Sequence, residues 1–346
     1  MRKVLAFSVL LFFLGVLGLS SSEPAMRWLS HERYQDDGLL GSDKYRFGDL
    51  YGLSYLPAFR LYKDTTLIRN QALFDGNRDI DLTILGDSYL FSYVQMDTSN
   101  FVRAKEVTFR RWSDSNLEPL CVRPSGNKKV LLIETVERNA WMILNLDRLK
   151  PQLEKVTNDK PWYDSFNEFL FEHIYHPQLE QNLDFTIFNQ QLFSPLKSLK
   201  AIINLEVFNR SSTDVAISEN GEFLYMRETV DSTQRSSSFY PMTKDELHEL
   251  GDRMLVMNQY AKSKGYDEVI FVIIPNPIVF TKTESKASNQ FVPKLTTVLG
   301  DKVRLLDPTK PLMVGGKQYF FKSDSHWNQK GARAWLAQLN QQLLTL

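Results

Sequence analysis

The hydrophobic pattern changes character along the chain. From Val4 to Ser22 no position is charged and nearly all are apolar, directly after Met1-Arg2-Lys3. Short runs that are apolar on both faces then recur at DIDLTILGDSY (79–89), KKVLLIETV (128–136), EVIFVIIP (268–275) and KVRLLD (302–307). A half-buried strand alternates apolar and polar residues. Runs without a wet face are what a parallel sheet covered on both sides requires. Between them the period lengthens to that of helices. Residues 244–264 open on a capping box, Thr243 with Glu246, and stop at Gly265. Residues 329–345 carry Ala332, Trp335, Leu336, Leu339 and Leu343 at three- and four-residue spacing. This strand–helix alternation predicts a doubly wound α/β sheet with helices on both faces.

The ends of the pattern set the expected organisation. Residues 1–24 read as a signal anchor or a cleavable signal peptide, because about 20 apolar residues span a bilayer core as helix. Arg2 and Lys3 hold the start in the cytoplasm and send the remainder across. The expected location is therefore the inner membrane, anchored through residues 4–22 with the folded part periplasmic, or secretion if the serines of LGLSSSEPA are cut. Residues 25–75, rich in Tyr, Arg and Asp, are expected as a juxtamembrane segment packed on a main domain of 76–346. Within that domain, 140–240 reads as an insertion over the active face of the sheet. It is aromatic-rich and mostly helical in pattern over 141–200. Over 204–230 it reads as a β-hairpin turning at Glu219-Asn220-Gly221-Glu222, where Asn-Gly suits a tight primed turn. Its aromatic residues (Trp141, Trp162, Tyr163, Phe166, Phe169, Phe171 and Tyr175) either stack on sugar rings or fill a core, and helical spacing favours core.

Composition narrows the function. The chain has 346 residues, and its 43% hydrophobic content builds a large core and excludes disorder. Lys+Arg and Asp+Glu balance at 41 each with no basic block, which argues against nucleic acid as the partner. The lone Cys121 excludes a disulfide framework and a Cys-based zinc site, and suits an oxidising compartment. With five histidines, the search for a catalytic base is short.

Two motifs carry chemistry. The first is Leu85-Gly86-Asp87-Ser88-Tyr89, at the carboxyl edge of the first strand, where open α/β sheets place ligands. Alone it is also an ordinary Asp-Ser helix cap. The second is Lys322-Ser323-Asp324-Ser325-His326-Trp327-Asn328, just before the last helix. A serine becomes a nucleophile when a nearby imidazole takes its proton and a carboxylate fixes that ring's tautomer. On its own His326 would as readily cap the helix or pack on Trp327. A metal site at Asp324 and His326 lacks further His or Cys nearby, so no metal and no cofactor are expected.

Together the two motifs resemble the SGNH/GDSL hydrolase family, which has a GDS serine after the first strand and an Asp…His pair near the C-terminus. The resemblance implies a three-layer, flavodoxin-like parallel sheet, with Ser88 as nucleophile, His326 as base and Asp324 as the acid that holds it. The family's usual pair is Asp-x-x-His. Here Asp324-x-His326-Trp327 looks like the alginate and exopolysaccharide O-acetyltransferase branch. A third stretch, Val130 to Arg138, is similar to that branch's strand ending in Glu-x-x-Glu-Arg. It stands where ordinary members carry an oxyanion-hole asparagine. Oxyanion or substrate contacts would come from the N–H of Ser88 or Tyr89 with Arg138 or Asn139. Arg138 is equally readable as a surface arginine paired with Glu134 or Glu137.

The function implied is acyl transfer through an acyl-serine, most simply O-acetylation of a cell-surface polysaccharide. Because acyl-coenzyme A is not expected outside the cytoplasm, a membrane-bound O-acyltransferase is the expected acyl donor. Water as acceptor would make the same site a carbohydrate esterase. A catalytically silent, membrane-anchored polysaccharide-binding or assembly protein is the alternative from another class.

Overall fold

The computed structural model describes residues 2–21, 46–63, 76–91, 96–113, 118–120, 122, 124–154, 193–281 and 287–346, with single positions at 166, 179 and 183. The expected aromatic wall at Trp162, Tyr163, Phe169, Phe171 and Tyr175, most of the juxtamembrane segment, and Cys121 lie outside the described residues. The chain forms two compact units, residues 1–63 with 157–212 and residues 64–156 with 213–346.

The described helices are α1 (Arg2–Ser21), α2 (Asp49–Ser54), α3 (Ser88–Phe91), α4 (Ala140–Ile143), α5 (Leu146–Leu153) and α6 (Ser194–Phe208), followed by α7 (Lys244–Ser263), α8 (Ile278–Thr281), α9 (Phe291–Leu299), α10 (Thr309–Gly315) and α11 (Gln329–Leu344). The strands are β1 (Ile80–Gly86), β2 (Ala104–Arg111), β3 (Lys128–Val136), β4 (Val215–Ile217), β5 (Leu224–Met226), β6 (Glu268–Ile274) and β7 (Arg304–Leu306).

The smaller unit holds α1, α2 and α6. Near the N-terminus, α1 is long and apolar enough to cross a membrane, about 30 Å at 1.5 Å per residue. In α2 the last turn is closed by Tyr55 in the left-handed conformation, its N–H bonded to the Tyr51 carbonyl at 2.7 Å.

The larger unit is an α/β layer structure around a five-stranded parallel sheet of order β2-β1-β3-β6-β7. Alternate strand residues go to opposite cores. Ile80, Leu82, Ile84, Val130, Leu132, Ile270 and Val272 meet Ala332, Trp335, Leu336, Leu339 and Leu343 of α11. Leu131, Ile133, Val269, Phe271 and Ile273 meet Leu250, Met254 and Met257 of α7, and Phe291 and Leu295 of α9. Each fully buried Leu, Ile or Val contributes about 1.5–3 kcal/mol, so α11 is held by its one stripe. The expected capping box on α7 is present: Glu246 N–H donates to Thr243 Oγ1 at 3.2 Å, and Thr243 N–H donates to Glu246 Oε2 at 2.9 Å. Gly265, at φ 98°, turns the chain out of the helix.

Of the segment 140–240, α4 and α5 bury Ala140, Leu144, Leu149 and Leu153 in the α7-side core and so belong to the sheet's own layers. The guanidinium groups of Arg235 and Arg253 lie 4.8 and 5.6 Å from the Trp141 ring centre. The hairpin is β4–β5, and residues 204–208 are the end of α6 instead. It turns at Glu219–Glu222, but as a four-residue connection closed by Ser218 and Phe223, not a two-residue primed turn. Asn220 has no positive φ. Its side-chain oxygen accepts from Ser218 Oγ at 2.8 Å and Glu222 N at 3.1 Å, which stabilises a wider turn, while Gly221 alone takes φ 70°.

The chain leaves β1 outward to β2, then returns to the other side of β1 to make β3. The carboxyl ends of β1 and β3 therefore flank the point where the strand order reverses. At such a point the connecting segments diverge to opposite faces and leave a crevice.

Candidate active site

Ser88 stands at that crevice. β1 ends at Gly86, and the chain enters α3 at Ser88 through a turn stitched to β3. The Asp87 N–H donates to Glu134 Oε2 at 2.8 Å, while the Asp87 carboxylate accepts from Val136 N at 2.9 Å and Tyr89 N at 2.9 Å. Trp112, just beyond β2, donates its indole N–H to the Glu134 carbonyl at 2.8 Å, so three adjacent strand ends are tied together. Glu134 is fully buried. Burial first, and then the negative charge of Asp87, raise its carboxyl well above the usual range.

The second loop is closed before it does anything chemical. Phe320 and Trp327 form an isolated antiparallel bridge; Phe321 N–H donates to the His326 carbonyl at 3.3 Å, and Asn328 N–H to the Tyr319 carbonyl at 2.8 Å. From the hairpin side, Leu224 N–H donates to the Lys322 carbonyl at 2.8 Å. Inside this closed loop Asp324 Oδ1 accepts from the backbone N–H of His326 at 3.0 Å and from His326 Nδ1 at 2.5 Å. Because Nδ1 must carry the proton to donate, Nε2 presents its lone pair, and it lies 2.8 Å from Ser88 Oγ. Asp324 and His326 are buried, whereas Ser88 is half-buried and open to an incoming group.

Two aromatic residues bring the loops together across 238 positions of chain. Tyr89 packs its ring 4.8 Å from the His326 ring and donates its hydroxyl to the Ser325 carbonyl. Trp327, wholly buried between Tyr89 and Trp335, donates its indole N–H to the Tyr89 carbonyl at 3.1 Å. Gly331, in the first turn of α11, permits the close approach. A methyl there would sit 2.6 Å from the Tyr319 carbonyl oxygen and 2.9 Å from Trp327 Cβ. In the sequence Trp327 figures as part of a motif; in the structure it is the bolt between nucleophile and base.

The remaining sequence-derived residues sit on the turn after β3. Arg138 is half-buried, with its guanidinium 5.9 Å from the Tyr89 ring centre, and its charge acts to lower Glu134 against the larger upward effects. Asn139 is half-buried on the same turn. Tyr89 has its N–H committed to Asp87 and its hydroxyl to Ser325, so it supports the imidazole from beneath. The Ser88 N–H opens a helix and has no intrahelical acceptor. No protein-family model, curated protein or solved structure matches the chain.

Sequence reasoning did not foresee the burial of two carboxyls. Glu134 and Glu137 figured there as the acids of the Glu-x-x-Glu-Arg stretch and as ion-pair partners for Arg138. Glu137 is buried and accepts from Asn276 N at 2.9 Å and Ser238 Oγ at 3.2 Å; burial raises it to about 7. The available signal was position: in a run buried on both faces, any acid at the strand end is buried too.

Proposed function

We propose that this chain is an extracytoplasmic serine-dependent acyltransferase of the SGNH/GDSL type, nearest the polysaccharide O-acetyltransferase branch. The observation that carries the reading is the unbroken chain Asp324–His326–Ser88 at the reversal point of the sheet. In the first half-reaction Ser88 Oγ attacks the carbonyl carbon of an acyl ester while its proton passes to His326 Nε2. The tetrahedral oxyanion takes the Ser88 N–H, with Arg138 or Asn139 as second donor. Collapse breaks the ester C–O bond, and the departing alkoxide takes the proton back from Nε2, leaving an acyl-serine. In the second half-reaction Nε2 removes the proton of a sugar hydroxyl. That oxygen attacks the acyl-serine, and Ser88 leaves with the proton. Asp324 stays ionised throughout and stabilises the imidazolium.

Delivery of the acyl group outside the cytoplasm falls to a membrane-bound O-acyltransferase, and the acceptor is a cell-surface polysaccharide or exopolysaccharide. With water as acceptor the same steps make a carbohydrate esterase. The test uses full-length protein in detergent with p-nitrophenyl acetate, comparing wild type with Ser88→Ala. Release of p-nitrophenol is expected to fall at least about 10⁴-fold in the variant. Equal rates would leave the silent polysaccharide-binding reading in its place. Acetate appearing on an added oligosaccharide separates transferase from esterase.

A further inference from the structure

The helix α6 is built inside out. Its less exposed arc holds Ser194, Lys197, Ser198, Ala201, Asn204 and Leu205, and Lys197 Nζ donates to the Tyr55 hydroxyl at 3.3 Å. Its outer arc holds Leu196, Leu199, Ile203 and Val207, between 43% and 68% exposed, flanked by Ile202 and Phe208. A helix packed on a water-soluble body shows the reverse arrangement, apolar inward and polar outward. Among the described residues, exposed large apolar side chains cluster on two helices, α1 and α6, and are otherwise single or in pairs. Both helices belong to the smaller unit. Lys200 flanks the outer arc and Arg210 follows the helix, whereas Glu206 is the sole acid from 194 to 210. Long cationic side chains at the margin of an apolar face reach lipid headgroup phosphates.

We propose that α6 lies in a membrane interface, with its Leu196–Leu199–Ile203–Val207 face set into the acyl-chain boundary of the bilayer that α1 enters. Two features favour lipid over a protein partner: the face shares its unit with a helix of membrane-spanning length, and its rim carries two cations, Lys200 and Arg210, against one acid, Glu206. A 15-residue helix is about 22 Å long and lies flat in such an interface. The proposal stands apart from the acyl-transfer reading.

The test places an environment-sensitive fluorophore on Val207→Cys or, as control, Ser198→Cys, each in full-length Cys121→Ser protein. The labelled chain is reconstituted in vesicles of phosphatidylethanolamine and phosphatidylglycerol, with or without a nitroxide carried along an acyl chain. The expected result is a blue-shifted Val207 label that the lipid nitroxide strongly quenches, and a Ser198 label that it quenches little. Leu199→Glu/Ile203→Glu, checked for unchanged helicity, should return the Val207 label to an aqueous spectrum. A Val207 label that stays aqueous in vesicles overturns the proposal. A label that is blue-shifted but untouched by the nitroxide also overturns it, in favour of a protein-covered face.

Discussion

At the amino ends of β1 and β3, carboxylates meet cations and donors. Arg103 holds Asp79 at 2.7 Å, and its hydrogen bonds keep that carboxyl below the usual range. Burial would raise Asp81, but bonds from Ser125, Asn127 and Lys129, at 2.6, 2.7 and 3.1 Å, outweigh it and hold it low. At the carboxyl ends of the same strands the balance reverses. Glu134 and Glu137 are desolvated among amides and an acid, and both are raised. Strands of one sheet thus end in opposite electrostatic conditions. One edge spends its charges on stability, while the other, where Ser88 meets His326, buries acids whose carboxyls are raised.

The contrast can be broken from either side. The largest expected effect is at the site: Asp324→Asn should lower turnover of p-nitrophenyl acetate about 10⁴-fold by allowing the wrong imidazole tautomer, with little change in melting temperature. A comparable loss of stability and of activity together would show that Asp324 is structural first. Next is Glu137. Its folded value, about 7, lies above the ordinary 4.5, so the folded state holds an extra proton between those values. Its stabilisation is complete below pH 4.5 and is lost as pH rises to about 7, about 3 kcal/mol in all. Denaturant unfolding across that window should show the slope in wild type, and Glu137→Gln should remove its share.

At the opposite edge, Asp81→Ala is expected to cost about 2 kcal/mol by stranding the donors of Ser125, Asn127 and Lys129, with turnover unchanged. Because Asp81 is held low, its stabilisation is present above pH 3.8 and is lost as pH falls further, the opposite sign to Glu137. A change in turnover for Asp81→Ala would mean that the two edges are coupled through β1. The smallest effect belongs to Trp112→Phe, which removes one hydrogen bond to the Glu134 carbonyl. It should cost about 1 kcal/mol by thermal unfolding and leave turnover within a few-fold of wild type.

Legibility in the sequence followed burial. β3 and β6 are read almost to the residue because Val130–Ile133 and Val269–Ile274 are covered on both faces, so apolar runs mark them. β2 goes unread because AKEVTFRR is an edge strand, paired only with β1, and its Lys105 and Glu106 face water. Ser88, Asp324 and His326 are legible as residue types at telling places in the pattern. What brings them within 2.8 Å is not, since it resides in tertiary bonds from Trp327 to Tyr89 and from Asp87 to Val136. Buried Glu134 and Glu137 look like surface acids to any reading by composition, because only the sheet register reveals what surrounds them.

The closed loop at Phe320–Trp327 also has a temporal meaning. The hydroxyl of Ser88 is synthesised 238 residues before its imidazole partner, and the loop that presents the ring is clamped only once α11 has been made and docked through Trp335. A nascent or truncated chain lacking this last stretch carries the serine with no base beside it. The serine and its base are therefore joined only in a chain that carries the stretch through α11.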